Sequence, residues 1–295
     1  IGSIEISKEN KKKFSIYQSI QDVSQSIPKN KSKNQIYTAL FKGPDTPIEN
    51  IPKWKPSYCE GIRVIIRYSE LKKSLDFCHA LCEKGYKVFI QPMVTMRYSK
   101  DELQTLIDEA NKMNAYSLYI VDSYGYMRPN DVLRIFRLFH KNLSKKISIG
   151  FHSHNNMNLA FSNVISFAEQ SKNRSIIIDS TILGMGQGAG NAQTELITPF
   201  LNENYNKNYD VYNILDCCEI IEKYNEHNLW GYSVTNLLPA INKTAYKFSH
   251  ALRKKYRLSY SNINKIFSSI PKKYKNRYTK ENLEGLMYLF KKKKL

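Results

Sequence analysis

"ISIGFHSHNN", residues 147–156, carries two of the six histidines in the chain, His152 and His154. An aliphatic run that ends in two imidazoles reads as the C-terminal end of a buried strand. Successive strand side chains alternate between faces, so residues 152 and 154 share one. Two imidazoles on one face can hold one divalent metal ion. The same pair on an exposed strand would be two ordinary histidines, so the neighbouring sequence has to decide.

Working outward, five more short runs rich in β-branched or aromatic residues punctuate the chain. They are "IYTALF" (36–41), "GIRVIIR" (61–67), "KVFIQPMV" (87–94), "SLYIVD" (117–122) and "SIIIDSTI" (175–182). Their nearly continuous apolar character predicts strands buried on both faces, as in a parallel sheet. Helical patterns lie between them. Residues 69–85 repeat apolar positions and end at Gly85, and residues 99–113 open with Ser99 three before Glu102, a capping-box spacing. Residues 128–143 and 158–170 continue the alternation. Regular βα units make either a (β/α)8 barrel or a doubly wound sheet.

The positions of the polar residues favour the barrel. Arg67, Gln91, Asp122, His152, His154 and Asp179 fall at or near C-terminal strand ends, the face where barrels build active sites. No glycine-rich phosphate turn comes after the first strand. "GMGQGAGN" (184–191) comes after the last one, and its alternating glycines do not match the dinucleotide fingerprint. The expected fold is therefore α/β, a barrel over residues 1–202, with a C-terminal helical region over 203–295 that ends in a basic tail.

Composition bounds the rest. The chain has 295 residues and 42% hydrophobic content, ample for a globular core. It contains no apolar run long enough to span a membrane. Its five cysteines, Cys59, Cys78, Cys82, Cys217 and Cys218, are odd in number and lie in helix-like or strand-like segments. They read as reduced thiols of a cytoplasmic protein. Of the net charge of +19, residues 243–295 hold +14, from 16 Lys/Arg against two Glu. The body is nearly balanced, which argues against nucleic acid as the main partner.

Two motifs together resemble those of a known family. His152-Ser153-His154-Asn155 and Gly184-Met185-Gly186 through Gly190-Asn191 resemble the paired motifs of metal-dependent lyases and synthases built on a (β/α)8 barrel. That family includes 4-hydroxy-2-oxovalerate aldolase, hydroxymethylglutaryl-CoA lyase and isopropylmalate synthase. "YIVDSYGYMRPNDV" resembles the family's sixth-strand segment, and "WGYS" (230–233) resembles the start of an aldolase-like C-terminal region.

The resemblance implies a divalent cofactor, with Mn²⁺ favoured over Mg²⁺, Co²⁺ or Zn²⁺. It implies His152, His154 and Asn191 as metal ligands, and Gln91, Asp122 and Ser123 as substrate contacts. Asp179 reads as structural, and Glu195 as orienting the glycine-rich loop. A small 2-keto acid is the implied substrate, and a homo-oligomer is compatible with it. The glycine-rich loop lacks the cysteine of hydroxymethylglutaryl-CoA lyase, which favours the aldolase. An acyl-CoA-condensing enzyme like isopropylmalate synthase is the alternative within the family. A non-catalytic binding or scaffold protein is the alternative outside it.

One departure stands out. The family opens with a strand of the pattern Asp-x-Thr-Leu-Arg-Asp-Gly, which supplies a carboxylate ligand and the catalytic arginine. This sequence opens with "IGSIEIS", which resembles the end of the second strand. The expectation is a barrel lacking strand one, with seven strands, unpaired edges on strand two near Ile1 and on strand eight near Ile178, and little activity in this chain alone.

Overall fold

A computed structural model of the chain describes residues 2–4, 16–171, 173–225, 230–269, 271–275 and 278–292. The elements in order are β1 (Gly2–Ile4), β2 (Ile16–Tyr17), α1 (Ile20–Gln25), β3 (Thr38–Phe41), β4 (Gly61–Ile66), α2 (Leu71–Glu83), β5 (Lys87–Pro92) and α3 (Lys100–Lys112). They continue with β6 (Ser117–Asp122), α4 (Pro129–Asn142), β7 (Ser148–Ser153), α5 (Ala160–Glu169) and β8 (Ile176–Ile178). Seven helices complete the described chain: α6 (Thr194–Tyr205), α7 (Val211–Glu222), α8 (Val234–Ile241), α9 (Tyr246–Lys254), α10 (Tyr260–Ser269), α11 (Lys272–Lys275) and α12 (Lys280–Lys292). Of the terminal lysine run 291–294, Lys293 and Lys294 lie outside the described residues. No described helix is long and apolar enough to cross a membrane.

The strands form one sheet in the order β2-β1-β3-β4-β5-β6-β7-β8, parallel from β2 through β6. This is the βα alternation of a (β/α)8 barrel, with C-terminal helices after it. The ladder ends at β2 and β8 among the described residues. The expectation of seven strands with an unpaired edge near Ile1 needs correction, whereas β8 does end the ladder among the described residues. β2 pairs with β1 through Ser3↔Ile16 and Ile4↔Tyr17, on the side away from β3. Two residues are too few for a periodicity argument to detect, since strands are read from runs of about four to eight.

Contacts divide the chain into two compact units. Unit 1 comprises Ile1–Val121, Arg134–Phe151 and Ser171–Ile177, and unit 2 comprises Asp122–Leu133, His152–Gln170 and Ile178–Leu295. Unit 1 contains most of the sheet and explains why the strands are apolar almost throughout. Ile62, Val64, Ile66, Val88, Ile90, Leu118 and Ile120 are all fully buried. α3 starts where its capping box sits: Ser99 Oγ accepts from the Glu102 N–H at 3.2 Å, and Glu102 Oε2 accepts from the Ser99 N–H at 2.7 Å. The exit from α4 is sealed by a buried arginine. Arg174 donates to the carbonyls of His140, Leu143, Ser144 and Ile147 at 2.7–3.1 Å, which gives partners to one carbonyl in the helix's last turn and to three in the segment that leaves it.

Unit 2 takes the C-terminal ends of β6, β7 and β8, the loops after them, α5 and the helices from α6 onward. Its helices bury amphipathic faces through Leu238, Phe248, Leu252, Ile263, Phe267, Leu283 and Leu286.

Candidate metal centre

The candidate site lies within unit 2. β7 ends at His152 and Ser153, and His154 is the next residue. His152 Nδ1 is 2.9 Å from Asp179 Oδ2, one residue past β8. A carboxylate at Nδ1 takes up that nitrogen's N–H and leaves the Nε2 lone pair for a ligand. The His152 and His154 ring centroids are 5.2 Å apart at 64°. Burial, and then the neighbouring His152, hold the His154 pKa down to about 3, so its imidazole is neutral. Neutral imidazole is the form that binds metal.

Asn191 faces His154 across an isolated antiparallel bridge. The Asn155 N–H donates to Gly190 O at 2.9 Å, and the Ala192 N–H donates to Ser153 O at 3.1 Å. Asn191 Nδ2 donates to Met185 O at 2.9 Å, while Oδ1 is buried without a hydrogen-bond partner. A buried acceptor left alone costs roughly 1–3 kcal/mol, a cost that a ligand would remove. The donor set of two imidazole nitrogens and one amide oxygen therefore fits a borderline divalent cation. Among the described residues, no group of three or more His, Cys, Asp or Glu is placed to hold a metal ion. Asn191 is thus the third donor that this part of the chain offers.

The glycine-rich loop is shaped by close backbone approach. A Cβ on Gly190 would collide with Gly184 O and lie 3.2 Å from Gly184 C, and Gly190 itself sits at φ +83°. The loop closes on itself where the Asn191 N–H donates to Gly184 O at 2.8 Å. Leu183, just before it, is left-handed at φ 51° and ψ 24°. Its N–H donates to Glu195 Oε2 at 3.0 Å, which gives Glu195 the loop contact expected of it, and its carbonyl accepts from Trp230 Nε1 at 2.8 Å. Tyr246 Oη donates to Gln187 Oε1 at 2.7 Å. Asn156 Nδ2 donates to Asn236 O at 2.9 Å, and Asn236 Oδ1 lies 2.8 Å from His250 Nε2.

The other expected site residues are spread over both units. Asp122 is buried at the end of β6, where its carboxylate accepts from the N–H groups of Tyr126 and Met127, both at 3.0 Å. Ser123 is the next residue, half-buried in the turn. Gln91 belongs to unit 1. With its oxygen turned toward Arg63, its amide accepts from Nε at 2.8 Å, and the guanidinium lies 5.0 Å from the Tyr119 ring centroid. Asp179, read as structural from sequence, is the carboxylate that orients His152. Its place at the end of the strand after β7 is the signal that could have revealed this. Trp230, Tyr246 and Asn156 carried no local signal of a loop contact.

Known proteins are similar to this chain over part of their length. A 4-hydroxy-2-oxovalerate aldolase of Thermomicrobium roseum is 39% identical over 120 residues, 39% of this chain and 32% of that protein. One of Pseudoalteromonas translucida is 31% identical over 176 residues, 58% of this chain and 50% of that protein. The chain spans half or less of the length of these curated relatives. The N-terminal domain of a provisionally named aldolase from Bacteroides vulgatus shares the fold, with a TM-score of 0.69 at 20% identity, over 87% of this chain and 86% of that domain. Residues 67–221, more than half of the chain, match the HMGL-like sequence profile, and the chain belongs to the HMGL-like family.

Proposed function

We propose that this chain carries the metal-holding residues of a carbon–carbon lyase, one that cleaves or forms a bond next to the 2-keto group of a 4-hydroxy-2-keto acid. The observation that carries the reading is the unpartnered Asn191 Oδ1, set beside a neutral His154 and a His152 fixed by Asp179. When bound, a divalent ion such as Mn²⁺ would supply a Lewis acid for the keto oxygen. His152 and His154 would hold it through imidazole nitrogens, and Asn191 through its amide oxygen. Asp179 keeps His152 in the tautomer that presents Nε2. The closed glycine loop brings backbone within reach of a small ligand and leaves no side chain in the way. Asp122 and Ser123, in the same unit, complete the reading as substrate-side residues, and Gln91 keeps that role as a proposal from the sequence alone. A cytoplasmic setting belongs with it, supported by five cysteines that form no disulfide. The names of the aligned relatives favour the aldolase over the acyl-CoA-condensing alternative.

The test measures bound Mn²⁺ in the protein and in its His152→Ala and His154→Ala variants. It then measures pyruvate release from 4-hydroxy-2-keto acids with Mn²⁺ present. About one ion per chain, lost in both variants, supports the centre. Equal metal content in all three proteins would refute it. Metal-bound protein that neither binds pyruvate nor releases it would refute the substrate class.

A further inference from the structure

Leu183 is a residue in the wrong conformation for its type. The left-handed region crowds Cβ against the following carbonyl, and leucine has no polar group to compensate, unlike asparagine. Its φ of 51° is therefore imposed from outside the local sequence. Two groups grip it from opposite ends of its peptide units. Glu195 Oε2 takes its N–H at 3.0 Å, and Trp230 Nε1, 47 residues away, donates to its carbonyl at 2.8 Å. Trp230 is buried, so its N–H has been taken out of water to make this bond.

The conformation of Leu183 sets the direction of the next two carbonyls, those of Gly184 and Met185. These carbonyls hold Asn191 by both of its donors, its N–H at 2.8 Å and its Nδ2 at 2.9 Å. With the N–H and Nδ2 both fixed, the other polar atom of the side chain, Oδ1, can point only one way.

We propose that Trp230 is a positioning residue. Together with Glu195 it holds Leu183 left-handed, and it thereby aims Asn191 Oδ1. The consequence for metal affinity rests on the proposed metal centre; the consequence for the loop does not.

The test uses a rescue. Trp230→Phe keeps an aromatic ring and removes the N–H. In the metal-free protein, amide hydrogen exchange at Asn191 should accelerate about tenfold, while the α10 amides, in the same unit, stay unchanged as the reference for that unit. Leu183→Gly, which adopts the left-handed conformation freely, should return the exchange of Asn191 toward wild type when added to Trp230→Phe. Co²⁺ affinity, read from its visible absorption, should fall roughly tenfold in Trp230→Phe and recover in the double variant, as supporting contacts behind ligands commonly do. Unchanged Asn191 exchange in Trp230→Phe would overturn the proposal. So would an equal rise at α10, which marks a merely structural tryptophan, or a double variant no better than the single. If wild-type protein binds no Co²⁺, the metal centre fails, and the exchange measurements still decide the role of Trp230.

Discussion

Replacing Gly190 and Gly188 by alanine should separate two costs that a glycine-rich loop can hide. Both residues are left-handed, at φ +83° and φ +68°, so both substitutions carry the left-handed penalty of roughly 1–2 kcal/mol. They differ in what the new methyl would meet. At Gly188 the nearest atoms belong to the Tyr246 ring at 3.5 and 3.6 Å, an ordinary contact. At Gly190 the methyl would run into Gly184 O, a backbone atom that cannot rotate away. Forcing the two strands of the loop apart adds about 1–3 kcal/mol of overpacking. It also breaks the 2.8 Å bond from the Asn191 N–H to Gly184 O, worth about 1 kcal/mol net. Gly190→Ala should therefore lose about 3–6 kcal/mol and Gly188→Ala about 1–2 kcal/mol, read from urea unfolding at one temperature. Bound Mn²⁺ should fall further in Gly190→Ala, because the broken bond is one of the two that hold Asn191. Equal losses in the two variants would show that conformation alone governs the loop, and that close backbone approach plays no part.

Three further substitutions probe the scaffold. Gly150→Ala has no left-handed term, yet its methyl would lie 2.5 Å from Tyr119 Cδ2 and Cζ in the buried layer of unit 1, so a loss of at least about 2 kcal/mol is expected. A Tyr119→Leu background should relieve that loss in urea unfolding. Arg174→Lys keeps the charge but not the fork that reaches four carbonyls, and should lower stability by about 2–4 kcal/mol in the same assay. Asp122 is raised from its ordinary 3.8 to about 7, chiefly by burial, against the N–H groups of Tyr126, Met127 and Gly125. The folded state then holds this proton more tightly than the unfolded chain, so stability is greatest below about pH 4 and declines as pH rises to about 7. The contribution is on the order of 4 kcal/mol. Asp122→Asn should flatten that part of the profile, and identical slopes from pH 4 to 7 in both proteins would exclude Asp122 as its source.

Much of the scaffold was legible because its determinants are local. β6 spans the same residues, 117–122, that its apolar run predicted, and α3 begins at the capping box that Ser99 and Glu102 announced. Side-chain period and cap chemistry act within one element, so they survive in the sequence. β2 was missed for the opposite reason. Ile16 and Tyr17 are a strand only because β1 offers them a partner, and two residues hold no period of their own.

The site divides along the same line. His152 and His154 stood out because a two-residue spacing on a strand is itself a geometric statement, and Asn191 stood out at the end of a glycine pattern. Asp179 stood out as a strand-end residue but not for its role, which exists only because β8 comes after β7 and delivers a carboxylate to Nδ1. Trp230 was further from view: no property of the segment around Leu183 asks for a left-handed leucine, and the group that grips its carbonyl is 47 residues away. The residues hardest to read from sequence are thus those whose conformation contradicts their own propensity. Local reasoning assigns Leu183 the ordinary right-handed conformation, and the bonds of Glu195 and Trp230 account for the left-handed one. A left-handed non-glycine residue with both peptide groups gripped by distant side chains therefore marks where the fold has overruled the sequence, and here that place is the base of the loop that carries Asn191.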